Sequence, residues 1–139
     1  MKIKNYTIKV QTDGYCSIHD LTQEADSRIK ESGVRSGQAT FFVAGSTAGI
    51  TTVEFEPGLV KDLEDLFEKL APQSKHYHHE ETWHDGNGFS HVRASMVKPS
   101  LTVPLIDGKL TLGMWQQVVL IDFDNTSRTR QIILQVMGE

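Results

Sequence analysis

Hydrophobic and polar residues alternate near the start of the chain and then change to a helical spacing. The alternation between Lys2 and Gln11 predicts a half-buried strand, with its apolar positions at Ile3, Ile8 and Val10. A four-residue spacing then predicts a helix, with Asp20 as N-cap and Gln23 completing a capping box. Gly33 is placed to end this helix, whose apolar face is formed by Leu21, Ala25 and Ile29.

The middle of the chain predicts two strands and a second helix. Thr40–Val43 and Ile50–Phe55 are rich in β-branched and aromatic residues, which favours strands. The second helix is predicted between Pro57 and Pro72, with an apolar face formed by Leu59, Leu63, Leu66, Phe67 and Leu70. After it, the chain as far as His91 has almost no aliphatic side chains, and this predicts a long functional loop.

Strands are predicted for the rest of the chain, beginning with Val92–Ser95. Asp107-Gly108 is a strong hairpin signal between strands at Leu101–Ile106 and Lys109–Leu112. The last two strands, Gln117–Phe123 and Arg130–Met137, are predicted to pair with each other. Because strands and helices do not alternate regularly, we expect one α+β domain over residues 1–139: a mostly antiparallel β-sheet or sandwich with two packed helices.

Composition and charge narrow the class of protein. The net charge of −4 argues against a nucleic-acid partner, since such proteins usually present a basic surface. The only cysteine, Cys16, cannot form an intramolecular disulfide, which fits a reducing compartment. No segment approaches the roughly 20 apolar residues that a membrane span needs, and the N-terminus has no apolar block of signal-peptide type. We expect a soluble cytoplasmic protein with no membrane partner.

Five of the six histidines lie close together in the region predicted as a loop: His76, His78, His79, His84 and His91. Imidazole binds metals and transfers protons near neutral pH. The spacing matches neither a zinc finger nor the H-E-x-x-H pattern, so we expect a site assembled from several segments. His79, His84 and His91 are the candidate metal ligands, His79 and His91 are also candidate catalytic groups, and His76 and His78 are interpreted as incidental.

Two glycine-containing turns are candidates for binding a phosphate group. In the first, Asp85, Gly86, Asn87 and Gly88 permit left-handed backbone in which several N–H groups can face one anion. In the second, Ser46 and Thr47 lie between Gly45 and Gly49, without the lysine of a P-loop. A plain turn remains an alternative for the first segment.

Charged side chains elsewhere complete the set of candidates. Glu54 and Glu56, two residues apart on a predicted strand, should share a face, and Glu54 is the candidate acid or base. Arg93 is a candidate phosphate ligand. Arg128 and Arg130 either pair with carboxylates or bind an anionic ligand, or they lie along an exposed strand edge.

The sequence resembles the YjbQ-like family, often called the secondary thiamine-phosphate synthase family, over nearly its whole length. The matching motifs are Ser32-Gly33-Val34 with Gly37, Gly45-Ser46-Thr47-Ala48, Glu54, Tyr77 with His79, Ser90–Ser95, Asp107–Gln116, Arg128, Arg130 and Gly138-Glu139. The resemblance implies a homotrimer with histidine-lined sites near subunit boundaries. It also implies a reaction that joins an aminopyrimidine diphosphate to a thiazole phosphate and releases pyrophosphate, with magnesium shielding the diphosphate.

One position departs from the family pattern. Many members have histidine where this chain has Gly45. We hypothesise that His84 supplies the missing imidazole.

Three functions remain open from the sequence. The first is an enzyme acting on a small phosphorylated metabolite with a divalent metal, magnesium or zinc, in which Ser46, Thr47 and Arg93 position phosphate. The second is a non-catalytic trimer that binds a metal or a phosphometabolite. The third is a metal-dependent phosphoester hydrolase.

Overall fold

The fold, obtained as a computed structural model, describes every residue from Met1 to Glu139. In chain order its elements are β1 (Lys2–Thr12), β2 (Ser17–Asp20), α1 (Thr22–Ser32), β3 (Gly37–Val43), β4 (Ala48–Val53), α2 (Pro57–Leu70), α3 (His78–Trp83), α4 (Gly88–Val97), β5 (Ser100–Ile106), β6 (Lys109–Leu110), β7 (Gln117–Asp122) and β8 (Arg128–Gly138). None of the helices has the length and apolar character required to cross a membrane.

The strands form two antiparallel sheets. The larger sheet has the order β1-β8-β3-β5-β6, and the smaller has the order β2-β7-β4. The predicted α+β class with mostly antiparallel sheets is therefore confirmed, but the number of helices is four rather than two.

The small sheet lies between the large sheet and two helices. Val118 and Leu120 of β7 belong to the main core with the large sheet, whereas Val119 and Ile121 pack into a second cluster with Phe67 of α2. That second cluster also contains Ala94 of α4. Because β7 is covered on both faces, its sequence is continuously apolar instead of alternating.

The local signals at the ends of the elements were mostly accurate. Gly33 ends α1 with a left-handed φ of 67°. The N-cap residue of α1 is Leu21, although the Asp20 carboxylate still accepts a hydrogen bond from the Thr22 N–H at 2.9 Å. Asp107 and Gly108 have φ values of 53° and 75° and close the hairpin between β5 and β6.

Two predictions about the second half of the chain are wrong. The histidine-rich region contains α3 and α4, and Val92–Ser95 is part of α4 instead of a strand. The buried residues of α4 include Gly88, Ser90 and Arg93, so its inner face lacks the apolar periodicity of a typical helix. The final two strands do not pair: β7 pairs with β2 and β4, whereas β8 pairs with β1 and β3.

Candidate functional site

A buried ion pair lies where β7 ends and β8 begins. The Arg130 guanidinium donates to both carboxylate oxygens of Asp122, at 2.6 Å from Nε and 2.9 Å from Nη2. The Thr12 hydroxyl donates to the same carboxylate at 2.6 Å. Burial alone would raise the pKa of Asp122, but the hydrogen bonds from Arg130 and Thr12 hold it below its ordinary value.

The turn before β4 is fixed by this pair. The Thr47 hydroxyl accepts from Arg130 Nη2 at 2.6 Å and donates to Asp124 at 3.1 Å. Arg130 Nη1 donates to no atom of the chain, and it lies 2.7 Å from where a Cβ of Gly45 would stand. Ser46 is exposed beside it. The absent side chain at Gly45 therefore leaves one guanidinium nitrogen facing open space.

Asp124 connects the turn to the histidine-rich helices. Its carboxylate accepts from Asn87 at 3.3 Å and from Arg128 Nε at 2.8 Å. The Asn125 amide donates to the Asp85 carbonyl at 2.9 Å. Burial opposes ionisation of Asp124, but hydrogen bonds from Asn125, Asn87 and Arg128 lower its pKa. The loop between α3 and α4 is thus held against the end of the small sheet.

The rings of His79 of α3 and His91 of α4 are in contact at a tilted angle. Their ring centroids are 4.3 Å apart with planes inclined by 36°. Burial, followed by the neighbouring His79, lowers the pKa of His91, while Asp85, Asp124 and Glu80 oppose the shift. The lowered pKa favours the neutral form of the His91 imidazole, which can accept a proton.

His79 has a ring nitrogen that faces two carboxylates. His79 Nδ1 is buried without a hydrogen-bond partner, 3.4 Å from Asp85 Oδ1 and 3.9 Å from Glu80 Oε1. These three ligand atoms lie within 4.8 Å of one another. Ligands about 2.0–2.2 Å from a zinc ion stand about 3.3–3.5 Å apart in a tetrahedron, so a small adjustment would fit them around one cation.

Glu80 also joins the two helices. One of its oxygens accepts from the Gly88 N–H at 2.7 Å, and the other accepts from the Tyr77 N–H at 2.9 Å. A Cβ at Gly88 would lie 2.6 Å from Glu80 Oε1 and 2.5 Å from the Tyr77 Cβ. Gly88 therefore permits close contact between the helices.

Several predicted site residues lie elsewhere or have other partners. Glu54 follows the far end of β4, about 20 Å along the strand from Thr47, and makes no side-chain hydrogen bond or ion pair, so its role as acid or base stays a prediction. Glu56 is not on that strand but is the N-cap of α2, where it accepts from the Gly58 N–H at 2.9 Å. Arg93 is buried, donating to the Ala71 carbonyl at 3.0 Å and to Glu68 at 2.8 Å, so it is not free to bind phosphate.

The Asp85–Gly88 turn is partly occupied, but the backbone N–H groups of Asp85, Gly86 and Asn87 donate to no atom of the chain, so the anion cradle stays a prediction. The Gly88 N–H is occupied by Glu80, and the Asn87 side chain by Asp124. Gly86 is exposed and has a φ of 70°. His84 ends α3 with a φ of 56°, and its exposed imidazole stands outside the His79, Glu80 and Asp85 group. Its substitution for a histidine at position 45 stays a prediction.

The sequence analysis missed Asp122, Asp124 and Glu80. The first two carried a detectable signal, because Asp122 lies within the apolar run from Val118 to Phe123 and Asp124 follows it directly. A carboxylate in such a run needs a buried cationic partner. Arg130 meets that need, so it pairs with a carboxylate and does not lie along an exposed strand edge.

Comparison with known proteins places this fold in a family. A family model described as "UPF0047 protein YjbQ-like" matches residues 6–139. The chain belongs to the YjbQ-like UPF0047 family. Within it, a UPF0047 protein of Archaeoglobus fulgidus is 32% identical over 94% of this chain and 98% of its own. The UPF0047 protein YugU of Bacillus subtilis is 33% identical over 95% of this chain and 98% of its own.

Solved structures of YjbQ-like proteins share the fold. A YbjQ-like protein of unknown function from Sulfolobus solfataricus P2 has a TM-score of 0.89 and 27% identity, with coverage of 99% of this chain and 100% of its own. An uncharacterised YjbQ/UPF0047 protein of Clostridium acetobutylicum has a TM-score of 0.85 and 30% identity, with coverage of 94% and 99%. These YjbQ-like relatives bear no name for an activity.

Proposed function

We propose that this YjbQ-like protein is an enzyme that acts on a small phosphorylated metabolite, with coupling of the thiamine-phosphate synthase type as its specific reaction. The observation that carries the proposal is the buried nitrogen of His79, which has no hydrogen-bond partner and lies beside the His91 imidazole and two carboxylates. An imidazole in this setting needs a cation or a transferable proton as its partner.

The donor set supports a divalent metal as cofactor. His79 Nδ1, Glu80 Oε1 and Asp85 Oδ1 would hold it, and one imidazole with two carboxylates suits zinc better than magnesium, which prefers oxygen ligands. The remaining coordination positions would face solvent or substrate, and a metal there would neutralise charge on phosphate oxygens.

Donors for an anion lie at the turn before β4, which Asp124 links to the histidine-rich helices. Arg130 Nη1 and the exposed Ser46 hydroxyl flank Gly45, where no side chain blocks them. Arg130 cannot swing away, because Asp122 and Thr47 hold its Nε and Nη2. A held guanidinium is a preorganised donor for a phosphate oxygen.

In the proposed coupling, a bond forms between the thiazole nitrogen and the pyrimidine methylene carbon while the bond from that carbon to the diphosphate oxygen breaks. Pyrophosphate leaves with the electron pair. Arg130 and Ser46 would hold a phosphate group. His91 would accept a proton from the exocyclic amino group of the aminopyrimidine as pyrophosphate leaves, and would return it once the new carbon–nitrogen bond has formed.

A homotrimer with sites near the subunit boundaries is part of this proposal. Met114 and Trp115 are 84% and 68% exposed and lie next to each other. Apolar side chains of this size commonly mark an interaction surface. Light scattering of the purified protein should give three times the monomer mass; a monomer would leave the trimer without support.

The proposal is tested by product analysis with purified protein. Aminopyrimidine diphosphate and thiazole phosphate are supplied together and singly, with zinc or magnesium, and thiamine phosphate and pyrophosphate are quantified. Equal amounts of both products, only when both substrates are present, are expected. Phosphate or pyrophosphate release from a single substrate would instead establish the hydrolase, and no turnover with tightly held metal would establish the binding protein.

A further inference from the structure

Three side chains, separate from those that face α4, converge on the solvent side of α3. His76 Nε2 lies 3.2 Å from Glu81 Oε1, and His78 Nδ1 lies 3.3 Å from each Glu81 oxygen. The ligand atoms of all three residues lie within 4.8 Å of one another. This outer cluster shares no residue with the His79, Glu80 and Asp85 group.

The separations are those of hydrogen bonds, and they also match the spacing of ligand atoms around a metal ion. In a tetrahedral zinc site, bonds of about 2.0–2.1 Å place neighbouring ligand atoms about 3.3 Å apart. The two imidazole rings are inclined by 78° with centroids 6.2 Å apart, so they neither stack nor block each other. Two imidazoles and one carboxylate also form a common zinc ligand set.

No protein cation competes for the carboxylate. Glu81 accepts hydrogen bonds only from His76 and His78. The nearby Lys75 ammonium lies over the Tyr77 ring, 5.5 Å from its centroid. The negative charge of Glu81 is therefore directed at the two imidazoles alone.

The backbone that carries the cluster is fixed by Tyr77, which stands between the two histidines. Its hydroxyl donates to the Pro72 carbonyl at 2.7 Å, and its N–H donates to Glu80 at 2.9 Å. Glu81 follows His78 by one helical turn, so their side chains lie on the same face. The ligands are thus partly ordered before any metal binds, which lowers the entropic cost of binding.

We propose that His76, His78 and Glu81 form a second metal site, which binds zinc or a similar imidazole-binding divalent ion at the surface. Three protein ligands leave at least one coordination position for water or an external ligand. The side chains of His76, His78 and Glu81 are 66%, 94% and 59% exposed, so the ion exchanges directly with solvent. The bound metal also fixes the start of α3, the helix that carries His79.

The test is a zinc titration of metal-free protein against a chromophoric chelator, with the number of bound equivalents as the readout. His78→Ala and Glu81→Gln should each lose one equivalent, or weaken it by more than about tenfold. Thr82→Ala is the matched control on the same helix, because Thr82 is exposed and its hydroxyl forms no hydrogen bond within the chain. Equal numbers of equivalents in all four proteins would overturn the proposal.

A second measurement does not depend on a variant folding. In wild-type protein, the imidazole nitrogen resonances of His76 and His78 should shift on addition of stoichiometric zinc, and unchanged resonances would contradict the site. Asp85→Asn separates this site from the proposed function. It should remove the zinc equivalent bound at the His79, Glu80 and Asp85 group and keep the equivalent bound at the outer cluster. Loss of the outer equivalent in Asp85→Asn would contradict two independent sites.

Discussion

The imidazole rings of His79 and His91 are in contact, with centroids 4.3 Å apart, although they belong to different helices. The contact exists because Gly88 has no side chain to keep α4 away from α3. The Gly88 N–H also donates a hydrogen bond to Glu80 at 2.7 Å. The pair is joined to the buried Asp122–Arg130 ion pair through Asn87 and Asp124. A site that combines imidazole, carboxylate and guanidinium is therefore built from three separate parts of the chain.

We expect Arg130→Met to destabilise the protein strongly. It would leave the buried Asp122 carboxylate without its cation, which costs about 3–5 kcal/mol in the free energy of unfolding. Urea denaturation measures this change. Arg128→Met is the control, because Arg128 is half exposed and its pair with Asp124 should contribute at most about 1 kcal/mol. Equal losses in the two variants would show that burial of the Asp122 pair is not the cause.

Cys16 should react slowly with thiol reagents in the native protein. It is 4% exposed, and burial, with a smaller contribution from Glu64 and against that of Arg93, raises its pKa to about 11. Because the thiolate is the reactive form, labelling at pH 7.5 should accelerate greatly when urea unfolds the chain. Equal labelling rates in native and unfolded protein would mean that Cys16 is accessible.

The strands and helices with one apolar face were predictable, because burial on one face imposes a period on the sequence. This holds for β1, for α1 and for α2, and the Asp107-Gly108 turn gave its hairpin directly. The placement of β7 and β8 in different sheets was not predictable, because a five-residue turn permits either a hairpin or a crossing to another sheet. β2 is only four residues long and was missed.

The histidines were recognised as the chemical centre, but their arrangement was not. The inner face of α4 contains glycine, serine and a buried arginine, so hydrophobic periodicity did not reveal a helix. Without α3 and α4, nothing in the sequence indicated that His79 and His91 would be in contact or that Arg93 would point to Glu68. The role of Glu80 depends on the turn that brings Gly88 back to α3, and Asp122 also contacts Thr12, which is distant in sequence.

The family resemblance implies a histidine where this chain has Gly45, and we expect that introducing one will disturb Arg130. A Cβ there would lie 2.7 Å from Arg130 Nη1, whose guanidinium is held by Asp122 and Thr47. Gly45→His should cost about 1–3 kcal/mol in the free energy of unfolding. Thermal denaturation of Gly45→His against the wild-type protein measures this; an unchanged or higher stability would show that Arg130 moves freely.

His84→Ala tests whether His84 replaces the missing imidazole at position 45. Its ring is exposed and outside the His79, Glu80 and Asp85 group, so we expect unchanged zinc content, whereas Asp85→Asn should lose the equivalent bound at that group. Elemental analysis of both purified variants gives the comparison. Zinc loss in His84→Ala would support the replacement.

The rate of pyrophosphate release by His91→Gln tests the central claim most directly. Glutamine keeps the polarity of the site but cannot accept a proton, so we expect the rate to fall by about 10²–10⁴-fold while Thr82→Ala keeps the wild-type rate. If His91 acts as the base, the lowered pKa should also place the acid limb of the wild-type profile below the ordinary histidine value of about 6.5. A wild-type rate in His91→Gln would contradict a catalytic role for the His79 and His91 pair.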